Sequence, residues 1–365
     1  MSLSVGIVGL PNVGKSTLFN ALTKNSVPME NYPFCTIDPT VGVVAVPDGR
    51  LATLAGISGT DTIIPAIVEF VDIAGLVKGA SAGEGLGNKF LANIRETDMI
   101  LEVVRIFEDS DIHHVSGQVD PLGDIEVINL ELILADAETV AKRLNNVERD
   151  AKRGDKDVIV ERDVLARMLP HLEAGQLANQ LEMNEAEVKA VKSIHLLSMK
   201  PFLYICNKKT DAFNLDEQND DRWQSLLEFF ENTNSEYVVV DAGMEHELKD
   251  LSDDEKNEFR REYGAQDSGV GTLIRACYDR LGLMSYFTTG EKETRAWTVP
   301  IGSTGPKAAT AIHTDFEKKY IRAQVVTFDD LAAAGSKTVA KEQGKMRTEG
   351  KDYIVKDGDV IEFMI

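Results

Sequence analysis

Several features are scarce in this chain, and each shortage excludes a class of protein. Cysteine occurs three times in 365 residues, as Cys35, Cys206 and Cys277. An odd, scattered set of this kind excludes a disulfide framework and has no zinc-ligand spacing, so reduced thiols are expected, with Cys206 as a small buried residue at the end of an apolar strand. No apolar run approaches the ~20 residues of a membrane span, so no membrane partner is expected. The opening Met1-Ser2-Leu3-Ser4 runs straight into an apolar strand, which predicts no export signal and a cytoplasmic protein. Repeats and low-complexity tracts are absent.

Positive charge is also short. The 39 Lys+Arg face 60 Asp+Glu, a formal net charge of −21. Such a surface repels nucleic acid as a whole, because affinity for it comes largely from neutralising phosphates. Acidic charge at this density favours solubility over assembly, so a monomer is expected. The imbalance is uneven. Residues 281–365 carry equal numbers of basic and acidic side chains, and the whole excess lies in residues 1–280. Any RNA contact is therefore local. Lys337, Lys341, Lys345, Arg347 and Lys351 make the best patch, although a solvated basic face reads them equally well.

What is present is a glycine-rich loop in a telling place. Ser4-Val5-Gly6-Ile7-Val8 reads as a buried strand and Thr17-Leu18-Phe19-Asn20-Ala21-Leu22 as a helix. Between them, Gly9-Leu10-Pro11-Asn12-Val13-Gly14-Lys15-Ser16-Thr17 matches G-x-x-x-x-G-K-[ST]. The glycines let backbone N–H groups turn inward around phosphate oxygens, and the helix N-terminus adds positive potential. Lys15 is expected at the β- and γ-phosphates and Ser16 on Mg²⁺, with Asn12, Val13, Gly14 and Thr17 completing the cradle. A second apolar strand, Ile67-Val68-Glu69-Phe70-Val71, leads into Asp72-Ile73-Ala74-Gly75. This is D-x-x-G, with Asp72 for the Mg²⁺ shell and the Gly75 amide for the γ-phosphate. Thr36, in the turn-rich stretch between the two motifs, is the candidate mobile threonine on the metal. The expected cofactor is Mg²⁺ and the expected substrate ATP or GTP.

Apolar strands at Val5–Val8, Ile67–Val71, Met99–Val104, Phe202–Ile205 and Tyr237–Val240 alternate with helical patterns, which predicts an α/β fold with a mostly parallel sheet. Val41–Val46 is expected to pair antiparallel with the Ile67 strand at one edge. The gap from Val104 to Phe202 is too long for one crossover. Ile133, Ala137, Val140, Leu144, Val147 and Ala151 alternate steps of four and three, the seam of a coiled coil. Gly154-Asp155 breaks that run; Val158, Leu165, Met168 and Leu172 mark a returning helix, and Asn184 with Glu187 a capping-box start for a third. Residues 129–199 thus read as an inserted helical hairpin, more a docking arm than a catalytic element. It divides a phosphate-loop domain of residues 1–128 and 200–280. In residues 281–365, strands over Arg295–Val299, Tyr320–Val325, Tyr353–Val355 and Val360–Phe363, with helices over Lys307–Ile312 and Phe328–Ala333, predict a small α+β domain. Lys356-Asp357-Gly358-Asp359 reads as a hairpin turn before its final strand.

At this point the residues resemble a known family. Asn31-Tyr32-Pro33-Phe34-Cys35-Thr36 is similar to a segment of the YchF / Obg-like ATPases, as is the run from Asp72 through Gly79-Ala80-Ser81 to Gly83-Glu84-Gly85-Leu86-Gly87-Asn88-Lys89-Phe90-Leu91. Arg295-Ala296-Trp297-Thr298, Ile312-His313-Thr314-Asp315-Phe316-Glu317-Lys318 and Glu349-Gly350-Lys351-Asp352-Tyr353-Ile354-Val355 resemble the family's TGS domain. The resemblance spans essentially the whole chain. It implies a P-loop G domain, an inserted helical domain and a ubiquitin-like TGS domain. It also implies nucleotide hydrolysis and association with ribosomes or RNA, here through the TGS and helical domains.

The resemblance also bears on mechanism. Many related NTPases carry a water-orienting glutamine just after D-x-x-G. Here Leu76 stands there and cannot hydrogen-bond water, which predicts slow intrinsic hydrolysis. The resemblance offers His114 as the water-orienting catalytic residue beside Lys15; alone, it reads as a surface-loop histidine. Gly79, Gly83, Gly85 and Gly87 predict a mobile switch. Base choice is open. Asn207-Lys208-Lys209-Thr210-Asp211 begins like the guanine-reading N-K-x-D, yet Thr210 takes the key place and Asp211 falls one residue late. The resembled family carries N-x-x-E and favours ATP, and tends to have a small residue where Asp241 stands. Thr210 cannot offer guanine a bidentate carboxylate, which favours adenine, with Asn207 as the expected base contact. Two alternatives stand beside an ATPase switch: a GTPase reading guanine through Asp211, and a binding module that nucleotide toggles with incidental turnover.

Overall fold

The computed structural model describes residues 3–23, 40–73, 85–112, 117–151, 154–248, 251, 255–256, 258 and 269–365. The chain runs through β1 (Ser4–Val8), α1 (Lys15–Thr23), β2 (Val41–Ala45), α2 (Arg50–Ser58), β3 (Ile63–Ile64), β4 (Ile67–Asp72), α3 (Gly85–Glu96) and β5 (Met99–Arg105). It continues through β6 (Phe107–Glu108), α4 (Pro121–Ala151), α5 (Lys156–Glu173), α6 (Glu185–Val191), β7 (Phe202–Asn207), β8 (Phe213–Asn214), α7 (Asp221–Thr233), β9 (Tyr237–Val240) and α8 (Ala242–Leu248). After a helix over Gly269–Arg280 come β10 (Leu283–Thr289), β11 (Thr294–Pro300), β12 (Arg322–Thr327), β13 (Arg347–Glu349) and β14 (Asp359–Met364).

The main sheet has the order β2-β4-β1-β5-β7-β9. All its strands run parallel except β2, which pairs antiparallel with β4 at the edge, as its sequence predicts. β5 and β7 are buried along their whole length, which is why they read as near-continuous apolar runs. The parallel arrangement puts the carboxyl ends of β1, β4, β5, β7 and β9 on one edge, where open α/β sheets bind ligands. Cys206 lies buried in β7, where burial pushes its thiol up.

α4 starts at Pro121, a residue suited to the first helical turn, with the Asp120 carboxylate accepting from Gly123 N at 3.1 Å. Ile125, Ile128 and Leu132 of this helix pack into the sheet's core. Further along, Ile133, Val140 and Val147 pack against Val164, Leu165, Met168 and Leu172 of α5. The seam is therefore as expected, but residue 129 lies inside one continuous helix that serves both sheet and arm. Asp155 caps α5, and Asn184 with Glu187 forms the capping box of α6. Fully buried Asp136 ties the arm back. It accepts from Leu197 N (2.8 Å), Ser198 N (2.7 Å) and Ser198 Oγ (2.6 Å) just ahead of β7.

The second sheet has the order β13-β12-β14-β10-β11-β3. Its edge strand β3 comes from the N-terminal part of the chain and pairs parallel with β11, Ile63 opposite Thr294. Arg50 at the start of α2 reaches Asp357 at 2.6 Å and lies 4.9 Å from the centroid of the Phe287 ring. Two expectations need correction here. Tyr353–Val355 forms no strand, only a single bridge between Ile354 and Thr304. Residues 356–359 therefore make a turn without a hairpin: Gly358 has φ 84°, Asp359 N donates to Lys356 O at 3.2 Å, and β14 then pairs with β12 and β10. The cause is local, since Asp359 Oδ2 holds both the Tyr353 hydroxyl (2.7 Å) and Lys356 N (2.9 Å), folding the segment back on itself.

Candidate functional site

The loop after β1 bends through three residues of positive φ: Gly9 at 154°, Asn12 at 64° and Gly14 at 101°. Two of these must be glycine for reasons of space as well. A Cβ on Gly9 would stand 2.5 Å from Val103 O, and one on Gly14 would stand 2.2 Å from Asn207 Nδ2. The loop opens directly into α1, whose first carbonyl bond is Leu18 N to Gly14 O at 2.9 Å. That leaves the N–H groups of the first turn free to meet an anion. Val13 is buried beneath the loop, Thr17 is half-buried, and Asn12 and Ser16 are exposed along it.

Lys15 is buried, and its ammonium donates to Leu10 O at 2.7 Å. Burial pushes it down to about 8, against the upward pull of Asp72. Ser16 Oγ lies 3.4 Å from Asp72 Oδ2. The ends of β4 and the phosphate loop thus bring one hydroxyl and one carboxylate oxygen together. Mg²⁺ takes hard oxygen ligands, keeps several waters, and binds through one or two protein groups plus substrate phosphates. Ser16 and Asp72 fit that requirement. Among the described residues no group of three or more His, Cys, Asp or Glu could hold a metal without help from substrate. Thr36, Gly75, Leu76, His114 and the glycines at 79 and 83 lie outside the described residues.

At the far end of the same sheet edge, Asn207 closes β7. Its Nδ2 donates to Val13 O at 2.8 Å and its Oδ1 accepts from Ala242 N at 3.0 Å. One side chain therefore ties the phosphate loop to the loop between β9 and α8. Asp211 follows with φ 61° and an exposed side chain. Thr210 donates both its N–H (2.6 Å) and its hydroxyl (2.7 Å) to Asp241 Oδ2. Asp241 Oδ1 accepts Met244 N at 2.8 Å, capping α8. No local pattern reveals the Thr210–Asp241 pair, because its members stand on different strands' ends.

Part of the basic patch near the C-terminus is engaged within the fold. Lys337 donates to Thr289 O at 2.6 Å, Lys345 pairs with Asp330 at 3.1 Å, and Arg347 lies 3.6 Å from Glu349. Among the described residues no helix is long and apolar enough to cross a membrane.

A parallel sheet, a glycine loop feeding a helix, and a serine–aspartate pair at adjoining strand ends define a P-loop NTPase with a G domain. Comparison with known proteins agrees. The family model described as "50S ribosome-binding GTPase" matches residues 4–153. The C-terminal model of the YchF-type GTPases, described as "Protein of unknown function (DUF933)", matches residues 283–365. Over the whole chain, the "Ribosome-binding ATPase YchF" of Bacillus subtilis is 51% identical, with 100% of this chain and 99% of that protein covered. The protein of the same name from Escherichia coli O157:H7 is 50% identical with the same coverage. The solved YchF GTPase of Schizosaccharomyces pombe superposes with a TM-score of 0.87 at 34% identity, covering 100% of this chain and 98% of that one. The chain belongs to the YchF family.

Proposed function

We propose that this chain is a Mg²⁺-dependent nucleoside triphosphatase that prefers ATP, turns it over slowly, and works as a nucleotide-operated switch on the ribosome. The observation that carries the reading is the phosphate loop itself: two obligatory glycines, a buried lysine and the Ser16–Asp72 pair on one sheet edge. Its relatives are named ribosome-binding ATPases, which supports the ribosome as partner and the same compartment as place of work.

Catalysis of phosphoryl transfer is chiefly positioning and charge stabilisation. The loop amides and the first turn of α1 hold the β- and γ-phosphates. Lys15 exchanges its bond to Leu10 O for phosphate oxygen, bringing its charge where negative charge builds up. Ser16 and Asp72, joined by Thr36, would hold Mg²⁺, which would supply charge neutralisation to the phosphates. The Gly75 amide senses the γ-phosphate, and His114 orients the attacking water in place of Leu76. Asn207 and the loop around Asp211 line the base end. Residues 1–128 with 200–280 form the G domain, 129–199 the arm and 281–365 the TGS domain, with the long helix α4 and strand β3 crossing those divisions.

The preference for adenine follows from Thr210. A carboxylate that would pair with guanine's N1–H and N2–H₂ is missing there, and the threonine's donors are already spent on Asp241. The test is a titration of ATP and GTP against the purified protein with Mg²⁺ present, beside Lys15→Ala. ATP should bind more tightly, and Lys15→Ala should lose both nucleotides. Wild-type affinity in that variant would remove the proposal. For His114, single-turnover hydrolysis should collapse in His114→Ala with binding retained. For the ribosome, charge reversal at Lys341 and Lys351 is a better probe than deletion of the last domain, because Phe287, Val326 and Leu331 belong to the same core as α2.

A further inference from the structure

The base end of the site contains a carboxylate in an unexpected place. Asp241 stands immediately after β9, one residue before Ala242, whose N–H is bound to the Asn207 side chain. Asn207 in turn holds Val13 of the phosphate loop. Asp241 is thus fixed beside the tie that sets the distance between the phosphate cradle and the base loops. It is 8% exposed, and it faces the loop of residues 207–211 through both donors of Thr210.

An ionised carboxylate accepts only, at about four lone-pair sites over two oxygens. Three of those sites are filled: two on Oδ2 by Thr210 N and Oγ1, one on Oδ1 by Met244 N. Among the described residues these three donors leave one acceptor site on Oδ1 unassigned, and the three bonds hold the side chain in place. Adenine presents a donor at its 6-position, the N6 amino group, whereas guanine presents the acceptor O6. Set against the 6-position, a pinned carboxylate with a lone pair to spare accepts from the first and repels the second.

Resting on the adenine reading given above, we propose that Asp241 is the residue that selects the base, accepting from the 6-amino group of adenine and excluding the 6-carbonyl of guanine. The arrangement reverses that of the guanine-reading N-K-x-D loop. There the loop after the Asn-bearing strand supplies the carboxylate. Here that loop supplies the hydroxyl of Thr210, and the loop after β9 supplies the carboxylate. Thr210 is then a positioning residue, acting on the base only through Asp241. Asp211, one position later, is exposed.

The experiment is equilibrium binding of three nucleotides to the full chain with Mg²⁺: ATP, GTP and purine riboside triphosphate, which has only hydrogen at the 6-position. Wild type should bind the purine probe about tenfold more weakly than ATP, the scale of one well-placed base contact. In Asp241→Asn, whose amide offers a donor as well as an acceptor, the ATP:GTP affinity ratio should fall about tenfold and the difference between ATP and the purine probe should shrink. Inorganic tripolyphosphate, measured on both proteins, reports whether the phosphate loop is intact. The purine probe needs no variant, so poor folding of Asp241→Asn does not spare the proposal. If wild type prefers ATP to GTP yet binds the purine probe as tightly as ATP, Asp241 does not read the base, while the adenine preference stands. The same holds if Asp241→Asn folds and keeps the wild-type ratio. If wild type binds GTP as tightly as ATP, the adenine preference itself fails and this inference falls with it.

Discussion

Nucleotide binding should take up a proton at Lys15. In the free chain the ammonium is buried against Leu10 O, and burial pushes it down to about 8. A triphosphate brings negative charge to that nitrogen, so in the complex the lysine returns to its ordinary range or above it. By linkage, at pH 7 about nine in ten free molecules already carry the proton, at pH 8 about half do, and at pH 9 about one in eleven. Binding should therefore absorb about half a proton at pH 8, and affinity should be about tenfold weaker at pH 9 than at pH 7. The nucleotide's own phosphates do not confuse the reading, because their second ionisation lies near pH 6. The same shift acts on folding with its own sign. A lysine whose folded value is lowered makes the fold gain stability as pH rises from about 8 towards the unfolded value of 10.5, because the unfolded chain holds the proton longer. Calorimetric titration at pH 8 in two buffers of different ionisation heat measures the proton uptake, and dissociation constants at pH 7, 8 and 9 measure the slope. An affinity that stays flat from pH 7 to 9, with no buffer-dependent heat, would refute the reasoning about Lys15.

Three further perturbations test the rest of the frame. Gly14→Ala places a Cβ 2.2 Å from Asn207 Nδ2 at a φ of 101°, so it should break the tie to Val13 and weaken nucleotide binding more than tenfold; affinity within twofold of wild type in a folded variant contradicts this. Asp136→Ala strands the Leu197 and Ser198 N–H groups in the interior and should cost about 2–6 kcal/mol in denaturant unfolding, at about 1–3 kcal/mol per unsatisfied group; a loss under about 0.5 kcal/mol would show that the arm is not anchored there. Glu102 lies fully buried in β5 with neither carboxyl oxygen partnered among the described residues, and its pKa is raised well above 4.5 by burial and then by Asp124. An acid raised in this way lends its full contribution below pH 4.5 and loses it as pH climbs through the folded value. Glu102→Gln should therefore gain on wild type as pH rises from 5 to 8 in chemical denaturation, and a constant difference across that range would count against the buried, protonated acid.

How much of this was legible in the residues depends on the range over which each feature is determined. The phosphate loop is determined locally. Gly9 and Gly14 cannot be anything else without striking Val103 O or Asn207 Nδ2, so their spacing survives as a pattern that a single sequence displays. The parallel strands are legible for a similar reason: both faces of β5 and β7 are covered, and most residues along them are apolar. Legibility fails where one element answers to two neighbours. α4 packs Ile125 and Ile128 on the sheet before its coiled-coil seam begins at Ile133, so the seam's first residue marks a change of partner, not the start of a helix. β3, two residues long, carries too little pattern to announce that it completes a sheet formed mostly by residues beyond 280. The base end is the hardest to read, because there the chemistry lies in a pairing across 31 residues. Taken singly, Thr210 looks like the loss of a guanine-reading carboxylate and Asp241 like an intrusion into a loop of small residues. Taken together they are one unit, in which each explains the other. A hydroxyl at 210 is tolerated because the carboxylate at 241 gives its donors somewhere to go, and a buried carboxylate at 241 is tolerated because Thr210 and Met244 supply three donors. It follows that Thr210→Asp alone would set two carboxylates face to face and repel.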